Sequence, residues 1–240
     1  MVVFHGGGYG FGIPEIAFGN IDRFIDASGC TVVAPDYRLF DVAPFPAAFD
    51  DCYLALLWTK EHAAELGVRD DQLMLYGENA GGGATIAVAL AARDRGEASV
   101  AFMMPLYPML DDKMVTPSSQ GNGAPVWNSR SNDLAWRRYL GDDFRTDHVS
   151  PYAAPARATD LAGLPPMLTF IGTIEPFYDE TIEFVQRLEK VNVPVFFREY
   201  EGCFHGFDLV GIGKPVAKDA IGFMMEGFEY AVKNCFSSQP

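Results

Sequence analysis

Two patterns of hydrophobic and polar positions alternate along the chain. Short apolar runs rich in β-branched and aromatic residues predict strands, and longer segments with apolar residues three or four positions apart predict helices. Strands that alternate with helices in this way are typical of a mostly parallel sheet with helices on both faces, so we predict an α/β fold. The predicted strands span residues 1–4, 31–34, 73–76, 100–106, 167–171 and 195–200.

Residues 45–66 and 178–192 show the helical pattern most clearly. We interpret their apolar stripes as faces that pack on the sheet and form the core. These positions are Phe49, Tyr53, Leu56, Leu57 and Leu66 in the first segment and Ile182, Val185, Leu188 and Val191 in the second.

The segment at about 111–143 interrupts the alternation, because it is rich in Ser, Asn, Gly and Pro and follows the end of a predicted strand. Long excursions at that end of an α/β sheet commonly cover the ligand crevice. We therefore predict a lid or cap insertion there, with a short helix in the stretch NDLAWRRYL, inside a single domain that spans residues 1–240. A surface loop without function is the alternative interpretation.

Charge and composition narrow the classes of function. The chain carries 18 basic and 32 acidic residues, a net charge of -14, and has no basic run, which opposes binding to nucleic acid or to an anionic membrane surface. No apolar stretch approaches the ~20 residues of a membrane span, and we expect a cytoplasmic protein. Four scattered cysteines form no C-x-x-C pair, so we expect free thiols and no metal site.

Two glycine-rich stretches suggest acyl-transfer chemistry. The stretch HGGG places Gly6, Gly7 and Gly8 directly after the first predicted strand, where glycines let backbone N–H groups approach a ligand closely. The stretch GENAG resembles the strand-to-helix turn G-x-S-x-G, with Asn79 at the position of the nucleophile. The N–H of Ala80 after it is a further candidate donor to an oxyanion.

A histidine and a carboxylate follow the last two predicted strands. His205 is a candidate general base, and Glu175 is a candidate acid that holds the imidazole in the required tautomer. The chain order of elbow, acid and histidine is that of α/β-hydrolases. Asp179 is a second candidate for the acid.

The motifs together resemble one family. HGGG, VAPDYRL, PFPAAFDDC, GENAG, YAAPAR, LPPMLTFIGTIEPFYDE and YEGCFHGF occur in the order seen in the hormone-sensitive-lipase-like α/β-hydrolases, which include carboxylesterases and arylacetamide-deacetylase relatives. The resemblance implies an α/β-hydrolase fold and hydrolysis of small apolar acyl or aryl esters without a cofactor. It also implies that two strands and the first part of the cap, which usually precede HGGG, are lacking. Either the gene product is truncated, or another chain, such as a second copy in a homodimer, covers that surface.

The resemblance also assigns roles to residues. Gly6, Gly7 and Ala80 match the oxyanion donors, His205 the base, Glu175 the acid and Asn79 the nucleophile. A second set is assigned to substrate binding, because it lies next to these motifs or near the predicted crevice. This set consists of Gly8, Tyr9, Glu78 and Phe204.

Asn79 is the departure that decides the expected activity. A carboxamide nitrogen is delocalised into its carbonyl, so a neighbouring histidine cannot turn it into a useful nucleophile. We expect Ser-dependent hydrolysis to be abolished or very weak, with ~10³ to 10⁴ over water as the residual rate. Because Asn tolerates a positive φ, we expect the turn itself to form without strain.

Three functions therefore compete. The first is an esterase-type scaffold inactivated at its nucleophile. The second is a non-hydrolytic proton-transfer catalyst, such as a dehydratase, cyclase or isomerase, that uses His205 and Glu175. The third is a ligand-binding pseudoenzyme, although a binding protein does not need to retain the base.

Overall fold

The computed structural model describes residues 1–240 and contains one sheet of five parallel strands in sequential order. Val3 lies opposite Tyr76, and Tyr76 lies opposite Met104, so the register is continuous across the first three strands. The prediction of an α/β fold with a parallel sheet is confirmed. The strands are β1 (Val2–Phe4), β2 (Met74–Glu78), β3 (Phe102–Leu106), β4 (Met167–Gly172) and β5 (Val195–Tyr200).

The predicted strand at 31–34 is reduced to a single bridge. Val33 pairs with Val2, donates its N–H to the carbonyl of Met1 at 2.9 Å and accepts the N–H of Val3 at 2.9 Å. Pro35, two residues on, has no N–H and cannot continue the ladder. The apolar run of this segment therefore overestimates how far it pairs.

Helices connect the strands, and the two segments with the clearest helical pattern form α2 and α5. Val191, predicted as part of a buried stripe, lies just past the end of its helix and is 37% exposed. No helix of the chain combines the length and the apolar composition that a membrane crossing requires. The helices are α1 (Phe18–Ser28), α2 (Ala47–Glu61), α3 (Ala80–Arg95), α4 (Ser129–Leu140), α5 (Tyr178–Lys190), α6 (Phe207–Val210) and α7 (Pro215–Asn234).

The central helix α3 is buried on all sides over its first thirteen residues, from Ala80 to Ala92. Glycine and alanine dominate this part, and their small side chains let the helix lie close to β2 and β3. A helix this apolar is stable only when it is enclosed by other elements. This packing places the N-terminus of α3 at the carboxyl edge of the sheet, directly after Asn79.

Candidate active site

Asn79 occupies a strained turn between β2 and α3. Its backbone has φ 57° and ψ -118°, whereas the left-handed helical region requires ψ of about +30 to +60°. The prediction that Asn relieves the strain is therefore wrong, because only φ falls in the range that Asn tolerates. The Asn79 N–H donates to the carbonyl of Leu106 at 3.1 Å, and its carbonyl accepts the N–H of Met109 at 3.0 Å. These bonds to the end of β3 and the residues after it hold the turn in place.

The two glycines of the GENAG turn are required by close contacts between backbones. A Cβ on Gly77 would lie 2.2 Å from the carbonyl oxygen of Gly81. A Cβ on Gly81 would lie 2.0 Å from the carbonyl oxygen of Phe4. The end of β1 and the start of α3 can therefore approach each other only through glycine, which brings the HGGG stretch next to Asn79.

The side chain of Asn79 bridges the HGGG stretch and His205. Its Oδ1 accepts the N–H of Gly7 at 3.1 Å and the N–H of Gly8 at 2.7 Å. Its Nδ2 lies 2.9 Å from Nε2 of His205. Because a carboxamide nitrogen only donates, Nε2 accepts this bond, and the proton of the neutral ring lies on Nδ1. The two glycine N–H groups require oxygen, not nitrogen, on their side of the amide, which fixes its orientation.

His205 is paired with Glu175 on its other side. Nδ1 of His205 lies 2.5 Å from Oε2 of Glu175, whose side chain is fully buried. Oε1 of Glu175 accepts the N–H of Gly172 at 3.3 Å. The two residues follow β5 and β4, so their loops meet at the same edge of the sheet as Asn79. Asp179 points elsewhere and accepts the N–H of Ser118 at 2.7 Å, so Glu175 and not Asp179 is the carboxylate that contacts His205.

Aromatic rings enclose the imidazole of His205. Tyr107 and Phe177 meet it edge to face, with ring centroids 4.8 and 5.3 Å away, and Trp127 lies 6.1 Å away. Such an environment of low polarity strengthens the hydrogen bonds within it. Within it, the imidazole lies between an acceptor, the carboxylate of Glu175, and a donor, the amide nitrogen of Asn79.

The donors of the HGGG stretch differ from those predicted. Gly7 and Gly8 supply the N–H groups that reach Oδ1 of Asn79, whereas Gly6 and Gly7 were predicted. Gly7 has φ 120° and Gly8 has φ 59°, a backbone conformation that turns the two N–H groups inward. The sequence alone could not distinguish three consecutive glycines. Ala80 is the first residue of α3 and is fully buried beside Asn79.

His5, at the start of the same stretch, has a structural role. Its buried ring stacks on Tyr37 at 4.1 Å, and the Tyr37 hydroxyl donates to the His5 carbonyl at 2.8 Å. Burial lowers the pKa of His5, so the ring is neutral at physiological pH. These two contacts with Tyr37 hold the start of the glycine turn in place.

A cavity of about 400 Å³ opens beside the two glycine donors. Apolar side chains from the segment at 111–143, including Trp127 and Leu134, line one side of it. Phe11 and Phe40 line another side, and the exposed pair of Arg138 and Asp41 lies at its edge. A mostly apolar wall beside backbone donors is suited to a small apolar molecule with one polar group.

Three of the four predicted substrate-binding residues do not line this cavity, and Gly8 is the exception. Tyr9 is buried and stacks on Tyr139 with ring centroids 3.9 Å apart. Glu78 lies buried in a hydrogen-bonded cluster described below, and Phe204 is half-buried against the hydrophobic core.

Two buried carboxyl groups lie near the base. Glu78 accepts a hydrogen bond from Asn20 at 2.8 Å and one from the hydroxyl of Tyr76. Burial raises the pKa of Glu78, against the effect of these two bonds. Burial and the charge of Glu78 raise the pKa of Asp208 to about 7. No sequence signal distinguished Asp208, because its importance depends on burial alone.

The segment at 111–143 is tied to the loop that carries Glu175. Ser118 donates its hydroxyl to the carbonyl of Pro176 at 3.1 Å, in addition to the bond between its N–H and Asp179. Asn122 donates its side-chain amide to the carbonyl of Ile174 at 3.1 Å. Within the segment, α4 is capped by Asn128, whose side chain accepts two backbone N–H groups.

No group of His, Cys, Asp or Glu side chains in the chain is arranged to hold a metal ion.

A parallel sheet that carries an elbow residue, an acid and a histidine in this order defines an α/β-hydrolase. Residues 1–209 match the family described as alpha/beta hydrolase fold. The chain belongs to this family, within its hormone-sensitive-lipase-like branch.

Its relatives include esterases of known sequence and structure. Carboxylesterase NlhH of Mycobacterium tuberculosis is 33% identical over 229 residues, which cover 92% of this chain and 70% of the relative. Esterase LipI of the same organism is 29% identical over 208 residues, which cover 86% of this chain and 65% of the relative. The solved structure of a bacterial heroin esterase superposes with a TM-score of 0.93 at 35% identity, covering 96% of this chain and 74% of that one. The chain thus spans about two thirds of the length of LipI.

Proposed function

We propose that the chain is an esterase-type hydrolase scaffold whose acyl-transfer site is closed by the side chain of Asn79. The observation that carries the proposal is the position of its Oδ1, which accepts the N–H groups of Gly7 and Gly8. In ester hydrolysis these donors would have to stabilise the substrate's carbonyl oxygen as it becomes negative. Asn79 therefore both lacks a nucleophile and occupies the donors.

The rest of the catalytic arrangement remains in place. His205 accepts a hydrogen bond on the side that would face a serine hydroxyl, and Glu175 holds its other nitrogen at 2.5 Å. His205 has no nucleophile to deprotonate, because loss of a proton does not turn the amide nitrogen of Asn79 into a useful nucleophile. Ester turnover by this chain is accordingly absent or very slow.

The class of ligand is supported by the cavity and by the relatives. The cavity beside Gly7 and Gly8 is lined mainly by apolar side chains. Relatives at 30% and 26% identity carry the names arylesterase, from Saccharolobus solfataricus, and ethyl acetate hydrolase, from Pseudomonas putida. We infer a small apolar acyl or aryl ester as the compound that the scaffold accommodates once the donors are free. The segment at 111–143 acts as the lid over it.

The test is hydrolysis of a series of p-nitrophenyl esters of increasing acyl length. The chain itself is expected to stay near the background rate, and Asn79→Ser is expected to gain at least ~10²-fold. Adding His205→Ala to Asn79→Ser should remove the gain. An Asn79→Ser variant that is folded by circular dichroism but no faster than the parent would refute the proposal. Saturable binding of an apolar ester by such an inert variant would favour a binding protein.

The intact pair of His205 and Glu175 favours a second candidate, a proton-transfer catalyst. A base held at 2.5 Å by a buried carboxylate is oriented for proton removal from a carbon acid. Its Nε2 accepts from Asn79, so this function requires the Asn79 side chain to turn towards the substrate. An elimination or isomerisation activity that persists unchanged in His205→Ala would rule this candidate out.

A further inference from the structure

The side-chain amide of Asn79 is held as an amide substrate would be held. Its oxygen accepts two backbone N–H groups, from Gly7 and Gly8, and its nitrogen lies 2.9 Å from Nε2 of His205. These are the groups that amide hydrolysis needs, namely donors for the developing oxyanion and a base that returns its proton to the leaving nitrogen. We propose that the chain hydrolyses the side-chain amide of its own Asn79 and so converts this residue into an aspartate.

The reaction consumes water and releases ammonia. Water adds to Cγ of Asn79 while Nε2 of His205 takes one of the water protons, and the oxygen that becomes negative accepts the N–H groups of Gly7 and Gly8. The bond between Cγ and Nδ2 then breaks, its electron pair leaves with nitrogen, and His205 returns the proton to that nitrogen. The new carboxyl group transfers its proton to the released ammonia. Carboxamide and water thus become carboxylate and ammonium, without an oxidant, a reductant or a cofactor.

In this proposal the water comes from the cavity of about 400 Å³. The cavity reaches the two glycines that donate to Oδ1, and the side chain of Trp127 forms part of its wall. Asn79 is 5% exposed and His205 is 4% exposed, so the site is narrow. To reach the base, a water molecule that enters beside Gly7 and Gly8 has to replace the contact between Nδ2 and His205.

The two glycine donors stabilise the product more than the reactant. A carboxylate accepts the N–H groups of Gly7 and Gly8 more strongly than a carboxamide does, because its hydrogen bonds are charge-assisted. Release of ammonia into solvent further prevents the reverse reaction.

Asparagine can also lose its amide without any catalytic group, when the next backbone nitrogen attacks Cγ and forms a succinimide. That route opens to a mixture of aspartate and isoaspartate and does not need a base in the position of His205. The proposed route yields aspartate alone. The two routes can therefore be separated by their products and by their dependence on His205.

The experiment follows the intact chain over several days in water enriched in heavy oxygen. Peptide mass spectrometry then measures the conversion of Asn79 from carboxamide to carboxylate and the heavy oxygen taken up. Asn20 serves as an internal control, because it is also buried but donates to Tyr76 and Glu78 and has no histidine beside it. We expect conversion at residue 79 with one heavy oxygen, no isoaspartate and no change at Asn20.

The variants make the outcome decisive. His205→Ala is expected to slow the conversion by ~10²-fold or more, and Glu175→Gln is expected to slow it while keeping the imidazole. A chain already converted on purification supports the proposal only when His205→Ala, purified in the same way, is not converted. Equal rates in the folded parent and in both variants, isoaspartate at residue 79, or no conversion in the folded parent would each overturn it. Because the readout is the amide of Asn79 and not ester turnover, this outcome is independent of the gain expected for Asn79→Ser.

Discussion

Glu175 approaches Nδ1 of His205 to 2.5 Å and is itself fully buried, so the imidazole can hold its proton only on the side of this carboxylate. Since Nε2 is then the acceptor, it is the nitrogen available to a nucleophile at position 79. The pair is therefore preorganised, although Asn79 gives it no nucleophile to activate.

The role of Glu175 is measurable once a nucleophile is present. In an Asn79→Ser background, Glu175→Gln is expected to lower kcat for p-nitrophenyl esters by ~10² to 10⁴, because the amide disturbs the tautomer and stabilises the imidazolium poorly. Asp179→Asn in the same background is the matched control, since Asp179 binds Ser118 and not the base. A loss in Asp179→Asn with none in Glu175→Gln would show that the acid has been assigned to the wrong residue.

The donors of Gly7 and Gly8 become available when the side chain at position 79 is removed. Asn79→Gly keeps the positive φ without strain, and we expect it to bind short-chain carboxylates ~10-fold or more tightly than the parent, because two hydrogen bonds of ~1 kcal/mol each are gained. Isothermal titration with butyrate measures this gain. Asn79→Asp is the control, since its own carboxylate would still occupy the donors. Equal affinities in all three chains would mean that the two N–H groups do not form an anion site.

Sequence reasoning identified the residues that the order of the strands along the chain brings together in the fold. Glu175 and His205 each follow a strand of a parallel sheet, so the topology alone brings them to one edge together with Asn79. The choice of Gly8 over Gly6 as a donor depends on two φ angles that no motif specifies. Tyr9 shows a second limit of prediction from the sequence. Its ring could equally face a ligand or stack on a neighbour that is distant in sequence.

The buried carboxyl group of Asp208 should make stability depend on pH. Its pKa in the folded chain is about 7 against an ordinary value of 3.8, so the folded state binds a proton that the unfolded state has lost between these values. Stability is then highest at low pH with respect to this group, and it falls as the pH rises from about 3.8 to about 7. Asp208→Asn should flatten this fall and raise the unfolding free energy by ~1 kcal/mol or more at mildly alkaline pH.

Urea unfolding at a series of pH values checks this expectation. Asp219→Asn is the control, because Asp219 lies in an exposed ion pair with Arg198, and such pairs contribute ~0 to 1 kcal/mol. Curves for Asp208→Asn and the parent that run parallel across the whole range would contradict the assignment of a raised pKa to Asp208.

Two glycine-to-alanine substitutions should change stability in opposite directions. One is made at the close contact between β1 and α3, and the other at an open position. In Gly81→Ala the new Cβ would lie 2.0 Å from the carbonyl oxygen of Phe4 and 2.6 Å from that of His5. These are backbone atoms, so the strand or the helix must shift, and we expect a loss of ~1 to 3 kcal/mol in stability. Gly222 lies within α7, and outside the adjoining residues and backbone of its own helix no atom lies within 4 Å of the position its Cβ would take. Gly222→Ala should therefore gain ~0.5 to 1 kcal/mol from helix propensity.

Thermal and urea unfolding of the two variants distinguishes a local clash from a general effect of replacing glycine. In an Asn79→Ser background, Gly81→Ala should also lose ester hydrolysis at temperatures where it remains folded, because a shift of Phe4 moves the N–H groups of Gly7 and Gly8 away from the carbonyl oxygen they must contact. Gly222→Ala should leave the rate unchanged, since α7 does not carry any of these groups. If Gly81→Ala instead kept both the stability and the rate of its background, β1 and α3 would be free to separate without consequence, and the position of the HGGG stretch could not depend on the glycine at this contact.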